Sequence, residues 1–365
     1  MNDLRIRKRI DSFLSLIKRN KKKYILISSA VVVDILLVLG LLKGGRYYYY
    51  YLSPQFHPSQ TVYIYIDRDD NIDSVYQKIE QKGLPGTMEG FRRLVKKYSY
   101  AGKIRQGRYA IEPRDNARDL FFRLAGGYQT PKNLVVGSVR TAEMLARNLG
   151  RQLMIDSIEI ATKLFDPLFC AETGFKVETV MCLFIPNTYQ VYWTMRPDEL
   201  FKRMKREYNK FWNEERLAKA KEIGLTPEEV SVLASIVGEE TNNNDEKPIV
   251  AGLYLNRIKR KMLLQADPTV KFGLRDFELQ RITNRHLSIK SPYNTYKHPG
   301  LPPGPIRNPS IKDIESVLNY TKHNYIYMCA KEDFSGTHNF AASLAAHNAN
   351  ARKYQQALNK RRIFK

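Results

Sequence analysis

The sequence predicts a mixed α+β protein: an N-terminal single transmembrane helix, a small α+β module, then a larger mixed α+β domain. Three observations carry this. One long apolar run lies near the start, strand-type alternation gives way within a few residues to helical spacing, and the chain is long enough for two or three compact units. With 365 residues and 43% hydrophobic content it can bury a sizeable core.

Tyr24 to Leu42 reads YILISSAVVVDILLVLGLL, the length of a membrane-crossing helix, with Asp34 its one charged residue. Ahead of it stand Arg5, Arg7, Lys8, Arg9, Lys18, Arg19, Lys21, Lys22 and Lys23 against Asp3 and Asp11, a flank of net +7. Positive flanks stay in the cytoplasm, so residues 1–23 are expected as a basic cytoplasmic tail, residues 24–42 as a single-pass anchor in the cytoplasmic (inner) membrane, and the rest as extracytoplasmic or periplasmic. A cleaved leader fits less well, because the basic stretch is long and no small-residue cleavage pattern follows the apolar run. Asp34 is read as tolerated in a marginal span. The five tyrosines from Tyr47 to Tyr51, within a juxtamembrane linker of residues 43–59, suit the headgroup layer, where a ring can be apolar and its hydroxyl wet.

Thr61 to Ile66 alternates as TVYIYI and predicts a strand, followed by a helix through Ile72, Val75, Tyr76 and Ile79. Met88 to Lys97 predicts a second helix, GRYAIEP a second strand, and Ala117 to Leu124 a third helix closed by Gly126 and Gly127. Residues 60–130 thus make a small module whose order, strand, helix, helix, strand, resembles the LysM-like modules that sit between anchor and catalytic domain in cell-wall enzymes. The pattern leaves glycan binding and a plain spacer both open. After Pro131, NLVVGSV predicts a strand and Thr141 opens a helix; residues 132–365 are read as one domain.

A formal charge of +23 and a pI near 9.7 call for anionic surroundings, among which nucleic acid, phospholipid headgroups and an acidic wall polymer are the candidates. The expected topology and the lack of any binding motif argue against nucleic acid. Cys170, Cys182 and Cys329 have neither CxxC nor Cys/His ligand spacing, so no metal site is read from them; a Cys170–Cys182 bridge stays open if that segment meets an oxidising compartment. His338 and His347 are read as hydrogen-bonded fold residues, since no His-x-x-x-His pair supports a metal.

Thr226-Pro227-Glu228-Glu229 places a Thr cap, a Pro at the first helical position and a Glu at the third, a capping box that opens a helix. At about 100° per residue, Leu233, Ile236 and Val237 share one stripe and Glu240 falls within about 60° of each, whereas Glu239 points aside. A carboxyl at the end of an apolar face loses water, which disfavours its anion and suits it to act as a general acid near neutral pH. Periodicity alone equally allows an exposed helix-terminal Glu.

The stretch LASIVGEETNNNDEKPIVAGLYLNRIKRKMLLQADPTVKFGL resembles the signature of the MltG (YceG-like) endolytic murein transglycosylases, which runs roughly ASIVEKET, AGVFLNRL, MRLQTDPTV. SPYNTYKHPGLPPGPIRNPS is similar to the family's SPYNTY and GLPPGPI segments, THNFAASLAAHNANARKY to its closing H-x-F and HN-x-N stretch, and IPNTYQVYWTMRPDELFKRM to its P-[DN]-TY segment. Two positions depart. Gly238 stands where relatives commonly carry the first Glu of E-x-E-T, and GSVRTAE stands where many have an E-G pair.

The resemblance implies a lytic transglycosylase that cuts MurNAc-β-1,4-GlcNAc bonds within peptidoglycan strands, leaves 1,6-anhydro-MurNAc ends and works beside peptidoglycan synthases to terminate nascent strands. It makes Glu240 the acid and base, with Glu239 as the register alternative. Ordinary glycosidases need two carboxylates; here the substrate's own C6 hydroxyl serves as nucleophile, so one suffices. Asn256, Gln265, Asp267, Thr269, Tyr293, Asn294, Thr295 and Tyr296 lie in the matched motifs and are the expected substrate contacts. Asn256 also suits a helix-to-loop tie and Asp267 the start of a turn; Pro302, Pro303 and Pro305 suit a rigid loop beside the cleft. No cofactor is expected. The rival reading is a non-catalytic wall-binding scaffold, favoured if the change at Gly238 disables the site.

Overall fold

A computed structural model describes residues 2–279 and 282–361 of the chain; Met1 and residues 362–365, the outer ends of the expected tail and domain, lie outside the described residues. The chain divides into two compact units, Met1–Thr130 and Pro131–Lys365.

The first unit begins with helix α1, Asn2–Tyr47, continued by a wider turn over Tyr48–Leu52. It is the one helix among the described residues long and apolar enough to cross a membrane. At 1.5 Å per residue α1 extends about 70 Å, more than twice a hydrocarbon core. The basic tail is therefore helical as well, which the sequence reading left unassigned; Ile6, Ile10, Phe13, Leu14 and Ile17 recur at helical spacing and are exposed. The tyrosine run has two environments. Tyr47, Tyr48 and Tyr49 are exposed, whereas Tyr50 and Tyr51 are half-buried, with the Arg93 guanidinium 4.8 Å from the centre of the Tyr50 ring.

Strand β1, Val62–Ile66, pairs antiparallel with β2, Gly107–Ile111, in the register Val62 with Ile111 and Ile66 with Gly107. Between them run α2, Ile72–Gly83, and α3, Glu89–Lys97, and after them α4, Ala117–Gly126. The ends obey local chemistry: Asn71 and Asn116 accept backbone N–H groups at the starts of α2 and α4, and Gly127 closes α4 at a φ of 70°, where a side chain would strain. Alternate strand residues Ile64 and Ile66 meet Val75, Ile79, Phe91 and Phe121 in one small core.

The second unit opens with β3, Lys132–Val136, antiparallel to β4, Asn187–Val191. Helices α5 (Ala142–Gly150), α6 (Ser157–Phe165) and α7 (Pro167–Glu172) lie between these strands in sequence; α8 (Pro197–Phe211) and α9 (Glu214–Ile223) follow. Cys170 and Cys182 are buried free thiols. Next come α10 (Pro227–Glu240), α11 (Lys247–Lys259), α12 (Asp267–Leu274), α13 (Asn284–Leu287) and α14 (Ile311–Leu318). A hairpin of β5 (Tyr327–Ala330) and β6 (His338–Ala341) and a last helix, α15 (Leu344–Lys360), end the described fold.

Helix α10 is the centre of this unit. Its capping box forms as the sequence predicts, with Glu229 N–H on Thr226 Oγ1 and Thr226 N–H on Glu229 Oε2. Its burial differs from the expected single stripe: every residue from Val230 to Gly238 is buried. The physical reason is small side chains on the remaining faces. Ser231, Ala234, Ser235 and Gly238 let neighbouring segments close in, and both serines are satisfied, Ser235 Oγ donating to Val232 O and accepting from Ile306 N–H.

Candidate active site

Burying α10 on all sides leaves its two terminal carboxylates, Glu239 and Glu240, at the edge of the core, and they enter different surroundings. Glu240 lines an open cavity of ≈ 230 Å³ together with Leu253, Tyr254, Arg257, Leu264, Gln265, Asp267, Tyr296, Met328, Cys329, Ala330 and His338. Helix α11 supplies Tyr254, whose hydroxyl donates to Glu240 Oε1 at 2.6 Å. No arginine or lysine ion-pairs with Glu240 among the described residues. Burial therefore dominates and pushes its carboxyl up to about 7, with the charge of Asp267 adding to the rise and the Tyr254 hydrogen bond opposing it. The Tyr254 phenol is itself raised well above its usual value, by burial first and by the facing carboxylate second.

Glu239 turns the other way. Arg140 donates to it at 3.0 and 3.3 Å and Arg307 at 3.0 Å, and Arg307 is held in turn by Ser138 Oγ. Two guanidiniums thus hold this side chain in place.

The remaining expected site residues separate into two groups. Gln265, Asp267 and Tyr296 line the Glu240 cavity. Tyr296 donates to Asp267 Oδ1 at 2.6 Å, which fixes both groups at the mouth of α12, and Arg257 Nη1 binds Gln265 Oε1 at 3.2 Å as well as the carbonyls of Leu263 and Leu264. Gln265 adopts a φ of 54°, a conformation that this grip helps to hold. The others belong to the scaffold. Thr269 and Thr295 are buried and share a 2.8 Å hydroxyl contact, Thr295 Oγ1 also accepting Ala266 N–H. Asn294 is wholly buried, donates to the carbonyls of Leu287 and Ile289 and accepts Tyr296 N–H, so it shapes the loop that presents Tyr296. The Tyr293 ring packs 4.6 Å from that of Phe272. Asn256 donates to the carbonyls of His323 and Tyr325, a helix-to-loop tie of the kind its position allowed.

Sequence reasoning missed Tyr254, Arg257 and His338 as lining residues. Tyr254 and Arg257 stood inside GLYLNR, a stretch already quoted for its resemblance, but apolar periodicity could not show which helix faces Glu240.

Gly238 has a plain structural basis. A Cβ there would lie 2.7 Å from Asp313 Oδ2, and Asp313 is held on the start of α14 by Ser310 and pairs with the buried Lys247 at 2.7 Å. The space beside α10 is thus occupied by a carboxylate that comes from another helix.

The profile of the YceG-like family matches residues 64–353, most of the chain. An endolytic murein transglycosylase of Bacillus subtilis is 37% identical over 129 residues, which cover 35% of each protein. One from Streptococcus pneumoniae is 25% identical over 306 residues, covering 74% of this chain and 54% of the relative. The chain therefore spans about half or less of these relatives' length. A crystal structure of a yceG-like protein from Listeria monocytogenes superposes with a TM-score of 0.54 at 24% identity, over 80% of this chain and 98% of that one, and establishes a shared fold. With that fold and a family match running from β1 into α15, the chain belongs to the YceG-like family.

Proposed function

We propose that this protein is a membrane-anchored endolytic lytic transglycosylase of peptidoglycan, with Glu240 as its acid and base. The observation that carries the reading is a carboxyl pushed up to about 7 in an open cavity whose other polar groups are already oriented. The relatives named endolytic murein transglycosylases supply the substrate class.

In this reading the protonated Glu240 donates to the glycosidic oxygen as the muramoyl C1–O bond breaks. Positive charge develops at C1, where the Asp267 carboxylate, fixed by Tyr296, provides a preorganised counter-charge. The muramoyl C6 hydroxyl then attacks C1 and gives its proton to the Glu240 carboxylate, which returns to its starting state with a 1,6-anhydro ring formed. Tyr254 keeps its hydrogen bond to Oε1 throughout and leaves the other oxygen for the proton. In this reading Gln265, Asp267 and Tyr296 touch the substrate directly, Thr269, Asn294 and Thr295 hold the segments that carry them, and Asn256 and Tyr293 serve the surrounding scaffold.

In this reading the apolar part of α1 is the anchor, its basic tail stays in the cytoplasm, and the second unit works outside the membrane beside peptidoglycan synthases. The antiparallel β1–β2 pair with α2 and α3 between them supports the LysM-like reading of the first unit, a module presenting the enzyme to glycan. Digestion of purified sacculi by the full chain, with mass analysis of the products, tests the activity. Anhydro-muramoyl ends are expected. Reducing ends mean a hydrolase, and intact sacculi mean a wall-binding scaffold.

A further inference from the structure

A second polar device stands at the Glu240 cavity, built from residues the proposed reaction does not use. Glu246, one residue before α11, is 6% exposed, and its one ion-pair partner among the described residues is His338. Its two oxygens are engaged from both sides of the site. Oε1 accepts the backbone N–H of His338 at 2.7 Å; Oε2 meets His338 Nδ1 at 2.9 Å and accepts Thr241 Oγ1–H at 2.9 Å. Thr241 directly follows Glu240, so one buried carboxylate joins the end of α10 to strand β6.

That carboxylate also decides the tautomer. Facing an acceptor oxygen, Nδ1 must carry the hydrogen, so the neutral ring presents Nε2 as an acceptor. The ring lines the same cavity as Glu240, and with its Nδ1 edge occupied, Nε2 is the polar atom it offers there. A histidine serving the fold alone needs only the Nδ1 contact. Here a buried carboxylate is spent on orienting a ring that lines the site.

We propose that His338 is a substrate-binding residue, its Nε2 accepting a hydrogen bond from a hydroxyl or acetamido N–H of the sugar beside the scissile bond, and that Glu246 is the positioning residue behind it. This rests on the glycan-cleaving reading above and adds to it a specific contact.

Two substitutions separate binding from fold. Asn in place of His338 sets its amide nitrogen where Nδ1 was and keeps the Glu246 contact without reaching the cavity. Gln sets its amide where Nε2 was and gives up Glu246. Both are introduced into the full-length Glu240→Gln protein, and binding of defined β-1,4-linked GlcNAc–MurNAc oligosaccharides is measured by calorimetry beside thermal unfolding. His338→Asn should keep the unfolding temperature and weaken binding about tenfold, the worth of one well-placed hydrogen bond. His338→Gln should bind more tightly than His338→Asn although it is the less stable. Glu246→Gln should weaken binding when His338 is present and have little further effect in the His338→Asn background, as a group acting through another does. Unchanged affinity in His338→Asn overturns the proposal, as does a loss of affinity that tracks unfolding temperature across the set. If the parent binds no oligosaccharide and the wild-type chain leaves sacculi intact, the glycan-cleaving reading fails first and the proposal falls with it.

Discussion

Glu239 and Glu240 are the same side chain, one residue apart at the same helix end, yet the two sides of α10 treat them in opposite ways. On one side Arg140 and Arg307 compensate Glu239 with three hydrogen bonds. On the other, a phenol and a half-enclosed cavity leave Glu240 short of compensation and raise its carboxyl to about 7. The difference teaches that proton chemistry here comes from what is withheld. A buried acid given two guanidiniums is a structural clasp, and a buried acid given one neutral donor is poised to exchange a proton.

The sharpest way to break the comparison is to remove each charge in turn. Glu240→Gln keeps the shape and the Tyr254 contact but has no proton to give, and sacculus cleavage should fall about two to four orders of magnitude. Glu239→Gln loosens the arginine clasp and should leave most of the activity in place. Thermal unfolding of both variants checks that neither loss is one of folding. If Glu239→Gln is folded and inactive while Glu240→Gln still cleaves, the roles of the two sides are reversed.

A second test of intermediate size concerns the carboxylate that stands just behind them. Gly238→Glu would drive a side chain into Asp313, and the overpacking should cost about 1–3 kcal/mol, read as a lower unfolding temperature. Adding Asp313→Ala should recover much of that loss. It frees the space, and the new glutamate can then face Lys247, which would otherwise be left buried without its partner. No recovery in the double variant would mean that Asp313 serves α14 more than it serves Lys247.

How far the sequence reached follows the range of the interaction. The capping box at Thr226 and Glu229, the strand at Val62–Ile66 and the glycine stop at Gly127 are set by residues within four positions of one another, and they were legible. The burial of α10 was legible only in part, since a helix enclosed on every face has no polar face to mark its orientation. Motif resemblance pointed to Gln265, Asp267 and Tyr296, which line the cavity, and equally to Asn294 and Thr295, which are buried under it; the motif marks both alike. His338 and Glu246 are 92 residues apart, and the backbone geometry that joins them leaves no trace in local spacing.

The pH dependence of stability is the effect most specific to the Glu240 side. The folded state raises this carboxyl from 4.5 to about 7, so between those values the folded chain holds a proton that the unfolded chain has released. The contribution to stability is therefore fully present below pH 4.5 and is lost as pH rises through about 7. Glutamine stays neutral throughout, so Glu240→Gln should gain on the wild type as pH increases, by several degrees in unfolding temperature at about pH 8, and the gain should vanish near pH 4. Cleavage by the wild type should fall over the same upper range, because the acid must be protonated to donate. Tyr254→Phe supplies the control. Its hydroxyl favours the anion, so removing it should move both the stability change and the falling limb of activity to higher pH. A stability difference between wild type and Glu240→Gln that does not change with pH would show that this side of the helix compensates its carboxylate as fully as the arginine side does.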